Sequence, residues 1–105
     1  MPKLGDLADH LDTDLVLPIL GIDYRIPSPG ITESDRLAMV VVDTTLTELQ
    51  THAEAVKILG TVRLDMADNG VPDPMAEHAG RTALVHFGMN ARMAASYWRF
   101  APLVA

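Results

Sequence analysis

The chain has 105 residues, 49% of them hydrophobic and 21% charged, with 14 Asp and Glu against 8 Lys and Arg for a net charge of −6. That length is one domain's worth, its apolar content is too high for a disordered chain, and its acidity argues against a nucleic-acid binder, whose affinity comes from Lys and Arg meeting phosphates. The absence of cysteine excludes a disulfide framework, a zinc ribbon and a thiol nucleophile. The longest apolar run, Leu37–Val42, is six residues, against about 18 for a membrane span. The opening Met1-Pro2-Lys3 turns acidic within three residues, unlike a signal peptide. The expectation is a soluble, cytoplasmic protein with neither nucleic acid nor membrane as partner.

In chain order, Leu4, Leu7, Ala8 and Leu11 fall at helical spacing and predict a short amphipathic helix over 4–11. Two turns are marginal alone, so this helix must pack on something. Two β-rich runs, Leu15–Leu20 and Ile22–Ile26, flank Gly21 and predict a hairpin turning near Leu20–Asp23. Pro18 lacks a backbone donor and is expected to face away from its partner strand.

Thr32-Glu33-Ser34-Asp35 has the form of a capping box and predicts a helix over 33–43. Thr45-Leu46-Thr47-Glu48 repeats the form and opens the longest periodic stretch, 46–69, where Ala55, Leu59, Val62 and Met66 make one stripe. Gly60 interrupts that stretch and suggests a close helix crossing, and Asn69-Gly70 supplies the stop. Asp73-Pro74 reads as an N-cap with Pro at the first helical position, opening a helix over 74–88 with Ala76, Ala79, Ala83, Leu84 and Phe87 inward. Asn90 caps a last helix over 91–99, with Ala91, Ala94, Ala95 and Trp98 on one face, before an apolar, irregular tail. The fold class is therefore mainly α with a small N-terminal β-hairpin (α+β) and four to five helices. It is read as a single domain of residues 1–105, with the short helix and hairpin in 1–30 and the helical part in 31–105.

Candidate chemistry is sparse. His78 and His86 share one helix at a spacing of eight, whereas a metal pair on a helix needs three or four. They, with His10 and His52, read as ordinary surface or core-edge residues. Asp6, Asp9, Asp12 and Asp14 lack the pattern of a calcium loop. No nucleophile elbow or glycine-rich phosphate loop occurs. No catalytic residue, cofactor or metal is expected.

Charge and aromatics are concentrated. Residues 1–80 carry a net −9, whereas residues 81–105 carry +3 from Arg81, Arg92 and Arg99. Tyr97, Trp98 and Phe100 surround Arg99, the residue types that dominate binding hot spots, although they equally suit completion of a small core. The candidate association residues are thus Asp9, Asp12 and Asp14 at one end and Arg92, Tyr97, Trp98, Arg99 and Phe100 at the other. A head-to-tail contact between such ends gives rings or open arrays, weakened by salt.

Two blocks carry a resemblance. Leu15–Pro29, with its LPILGIDYRIPSP core, resembles the hairpin opening of small tail assembly chaperones of long-tailed phages infecting actinobacteria. Leu59-Gly60, Met66–Pro72, His78–Ala83 and Ala94–Trp98 resemble the same family in the same order, whereas residues 31–58 show no match. The resemblance implies a non-enzymatic factor of the host cytoplasm, outside the finished virion. Such a factor coats the long, apolar tape measure protein and helps tail-tube subunits polymerise around it. It further implies that a longer frameshift product of the gene recruits the tail-tube protein, with this chain as the short product. Two other readings compete with it: a structural virion component of the tail or connector, and a small metal-binding enzyme domain built on His78, His86 and neighbouring acids.

Overall fold

In the computed structural model, which describes residues 1–101, Leu15–Ile19 (β1) and Ile22–Ile26 (β2) pair as an antiparallel hairpin, with Leu17 opposite Tyr24 and Leu15 opposite Ile26. Both residues of the connecting turn, Leu20 and Gly21, have positive φ (51° and 83°), the conformation that matches the twist of paired strands. A two-residue turn makes Ile19 and Ile22 the first hydrogen-bonded pair. Pro18 opposite Asp23 then falls at a non-hydrogen-bonded position, where its missing N–H costs the ladder nothing. Alternation sends Leu17, Ile19, Tyr24 and Ile26 into the interior.

Five α-helices follow: Ile31–Val42 (α1), Glu48–Leu59 (α2), Thr61–Asp68 (α3), Asp73–Gly88 (α4) and Ala91–Phe100 (α5). The molecule is mainly α with a small N-terminal hairpin, as the sequence predicts. α4 is its spine and packs against α1, α2, α5 and β1. Two of its glycines permit this. A Cβ on Gly80 would lie 2.8 Å from the Cβ of Ala55 on α2, and one on Gly88 would lie 2.8 Å from the carbonyl oxygen of Leu37 on α1. One apolar cluster joins the inner face of the hairpin to Leu59, Met66, Ala76, Ala79 and Ala83, and a smaller one joins Leu37, Ala55 and Leu84.

Several sequence expectations are corrected. The helix over 4–11 is a single 3-10 turn, Leu7–Asp9, in which no residue is buried. Leu4, Leu7 and Leu11 are 86%, 67% and 51% exposed, so nothing among the described residues supplies the packing a two-turn helix requires. α1 begins after Gly30 without a side-chain cap, so the box at Thr32–Asp35 is unused. The second box is real but shifted: the Thr47 hydroxyl accepts from the N–H of Gln50, and the Gln50 side chain accepts from the N–H of Thr47. The stretch 46–69 is two helices, because Gly60 adopts φ 55° and ψ −131° and turns the chain between α2 and α3. Gly60 is thus a break and not a crossing; the close crossings are at Gly80 and Gly88. Pro72, not Asp73, is the N-cap of α4.

Other signals hold. Ala55, Leu59 and Met66 are buried with Val62 beside them. After α3, the N–H of Gly70 bonds to the carbonyl of Ala67 and that of Val71 to the carbonyl of Met66, with Val71 packed on the core. The Asn90 side chain caps α5 by accepting from the N–H of Met93. The irregular tail expected beyond Ala101 lies outside the described residues. Among the described residues, no helix is long and apolar enough to cross a membrane.

Candidate partner-binding site

The hairpin does not close against the C-terminal helix. Between β1 and the α4–α5 pair run two adjoining apolar clefts of about 430 and 380 Å³, which share Pro18 and Trp98. The first is walled by Ile19, Leu20, Pro74, Met75 and His78, the second by Leu15–Leu17, Thr82, His86 and one face of α5. Four consecutive residues, Leu15–Pro18, line the second cleft. Successive strand side chains alternate between faces, so a run of neighbours means that the free edge of β1 forms the wall. Together the clefts make one groove with Trp98 at its middle. Leu20, strained at positive φ and well exposed, closes one end.

The helix face predicted for α5 lines this groove: Ala91, Ala94, Ala95 and Trp98 all border it. Only Ala94 is fully buried; Trp98 is half-buried. Tyr97 and Trp98 stack on the His78 ring, with centroids 5.0 and 5.2 Å away. The Nε2 of His78 lies 3.1 Å from the Trp98 carbonyl oxygen. A carbonyl only accepts, so Nε2 carries the proton and satisfies one of the orphan acceptors at the end of α5. Burial pushes the Tyr97 hydroxyl upward from its ordinary pKa. Tyr97 and Trp98 brace α5 on α4, as the core reading expects, and Trp98 also borders the groove. Phe100 is exposed, with the Arg99 guanidinium 5.3 Å above its ring.

Arg92 and Arg99 stand three residues before and four residues after Ala95, which makes them its neighbours on the helix surface and borders the groove with cations. Neither forms an ion pair among the described residues. Arg81 is different, held by Glu77 at 2.8 Å and Glu48 at 2.9 Å. Of the three arginines in this part of the chain, only Arg81 is ion-paired among the described residues.

The acidic end is also redistributed. Arg25 on β2 binds Asp12 through two hydrogen bonds and Asp14 through one, at 2.9–3.0 Å. The Arg25 hydrogen bond holds the Asp12 carboxyl below the usual carboxylate range. Asp12 and Asp14 are therefore paired within the chain, whereas Asp9 forms no ion pair among the described residues. The sequence reading missed this because Arg25 is distant in sequence and only the hairpin brings it across.

A second charged cluster was also illegible beforehand. His52 on α2 bonds through Nδ1 to Glu77 on α4, which also accepts from Arg81. Burial works against the Glu77 charge, but the hydrogen bonds from Arg81 and His52 outweigh it and hold its carboxyl below the usual range. Only the spacing of Glu77 and Arg81, four apart on a helix, signals it in advance. On the other side of α2, Arg36 joins Glu33 and Glu54. These clusters tie helices together. His86 packs edge-on against Phe87, well separated along α4 from His78, and burial lowers its pKa. Among the described residues, no three His, Asp or Glu side chains gather as a metal cluster.

The model of one family, described as a domain of unknown function (DUF7426), matches residues 5–103. No curated protein and no solved structure matches the chain.

Proposed function

The chain belongs to the DUF7426 family, and we propose that it is a non-enzymatic tail assembly chaperone of a long-tailed phage. It acts in the host cytoplasm by binding the tape measure protein and keeping it soluble while tail-tube subunits assemble. The observation that carries this reading is that two apolar surfaces stand uncovered; the first is the open groove around Trp98, in the two segments that carry the sequence resemblance, Leu15–Pro29 and Leu59–Trp98. A stable monomer seldom leaves such a surface uncovered unless something binds there. Leu20 adds to it: an exposed leucine at positive φ costs about 1–2 kcal/mol that Gly or Asn would avoid, and strain of this kind gathers where a side chain has a task.

A coat on a long client needs one surface for the client and another for the next copy, so that many weak contacts add up. A second exposed apolar row exists on α1, with Ile31, Met39 and Val42, and Leu49 is exposed at the start of α2. This row is the client's face, and an amphipathic helix of the client is the segment it suits. Recruitment of the tail-tube protein belongs to the longer frameshift product.

Co-expression with the tape measure protein encoded beside it tests the reading. The client is expected in the soluble fraction with the chain and in inclusion bodies without it. Equal solubility in both cases overturns the proposal. Detection of the chain in purified particles at a fixed copy number favours a structural tail component instead.

A further inference from the structure

We propose that the groove along β1 receives residues 4–11 of a second copy, so that the chain associates head to tail. This deepens the reading of a self-associating binder and rests on it, but not on the identity of the client.

The occupant follows from what the molecule leaves unpaired. Leu4, Leu7 and Leu11 recur at the spacing of one helix face, yet all three stand in solvent. The segment forms one 3-10 turn where its pattern encodes two helical turns. It has the sequence of a helix and lacks the surface to fold on. The groove is the converse, an apolar surface without an occupant. Eight helical residues measure about 12 Å, and the strand edge Leu15–Leu20 offers about 17 Å. Charge fits as well: Asp6 and Asp9 lie between the leucines, and Arg92 and Arg99 border Ala95 at the rim.

The chain's own segment is directed elsewhere. Asp12 and Asp14 fasten its base to Arg25 on β2, and no residue of β2 lines either cleft. β2 is paired on the opposite edge of β1 from the groove. The leucines are therefore presented outward, to a neighbour. Each copy then offers one segment and one groove, a heterologous contact that propagates.

Three forms of the full chain test this by sedimentation velocity: unaltered, Leu7→Asp with Leu11→Asp, and Ala95→Glu. Ala95 is exposed at the groove's edge, so its substitution leaves the core intact. The unaltered chain is expected to associate at low salt, to gain helical circular dichroism as it does so, and to weaken at least about tenfold near 1 M salt, where the Debye length is about 3 Å. Each variant alone is monomeric with an unchanged thermal melt. Mixed, the two form a one-to-one dimer that grows no further, because one retains a groove and the other retains the leucines. An unaltered chain that stays monomeric, variants that associate like it, or a mixture that stays monomeric each overturns the contact. A monomer in which Leu7 touches Trp98 also overturns it and places the segment in its own groove. An unaltered chain that stays monomeric yet keeps the client soluble removes this contact alone. Loss of client solubility with association intact removes the chaperone reading alone.

Discussion

α4 and α5 are neighbours in sequence and in space, and they use apolar residues in opposite ways. α4 buries Ala76, Ala79, Gly80, Thr82, Ala83 and Leu84; α5 buries only Ala94, although its polar and apolar faces are more sharply separated. α4 succeeds with small residues. Its glycines and alanines let α2 and α1 approach at backbone distance, and dispersion contacts accumulate where gaps would otherwise lie. α5 sets one large group, Trp98, together with Ala91, Ala94 and Ala95 at the border of an open groove. Amphipathicity thus says that a helix has a face to bury, not that its own chain buries it.

The sharpest way to break this contrast is to enlarge α4. Gly80→Ala gains about 1 kcal/mol of helix propensity, but its Cβ would meet both the side chain and the carbonyl of Ala55 at 2.8–2.9 Å. Overpacking of that kind costs about 1–3 kcal/mol and more where backbone must move, so a net loss of about 2 kcal/mol is expected in urea unfolding. The same methyl added on α5, by Ser96→Thr at an exposed position, is expected to stay within about 0.5 kcal/mol of the unaltered chain. A smaller effect tests what holds α5 in place: Asn90→Ala removes the cap on Met93 and is expected to cost about 1 kcal/mol. Leu20→Asn moves the opposite way, stabilising by about 1 kcal/mol because Asn tolerates positive φ. If Leu20 serves the groove, the same change weakens association.

The weakest effect is on pH. His86 has its pKa lowered by burial from an ordinary value of 6.5. Below 6.5 the unfolded chain takes up a proton that the folded chain resists, so stability is full above 6.5 and falls as pH drops through the lowered value. Glu77 and Glu54, both held low by their cationic partners, add a second fall below their ordinary value of 4.5. Urea midpoints across this range check both steps, and His86→Gln is expected to flatten the first.

What the sequence revealed was local. The hairpin, the Asn69-Gly70 stop and the Asn90 cap each depend on two to four adjacent residues whose φ or hydrogen bonding is decided nearby. Illegible features depend on distant partners: Gly80 against Ala55, Gly88 against Leu37, Arg25 against Asp12 and Asp14, His52 against Glu77. The helix over 4–11 fails for the same reason, since periodicity cannot say whether a partner surface exists in the same chain. The break at Gly60 fails differently, because glycine within a periodic stretch is compatible with either a continuous helix or a turn. Half of the site was visible, as the α5 face and its arginines; the strand edge opposite was not.

Pro18 has a consequence for what the exposed edge of the hairpin can recruit. A two-stranded sheet has two bare edges, each a template for indefinite sheet extension and hence for aggregation at high expression. Toward the groove, β1 turns the backbone groups of Val16 and Pro18, the residues outside its hydrogen-bonded pairs. Proline withholds one of the donors a third strand would require, and Trp98 stands in the way of a flat approach. Growth by cross-β stacking at this edge is thereby discouraged, which leaves side chains as the means by which a partner can engage it.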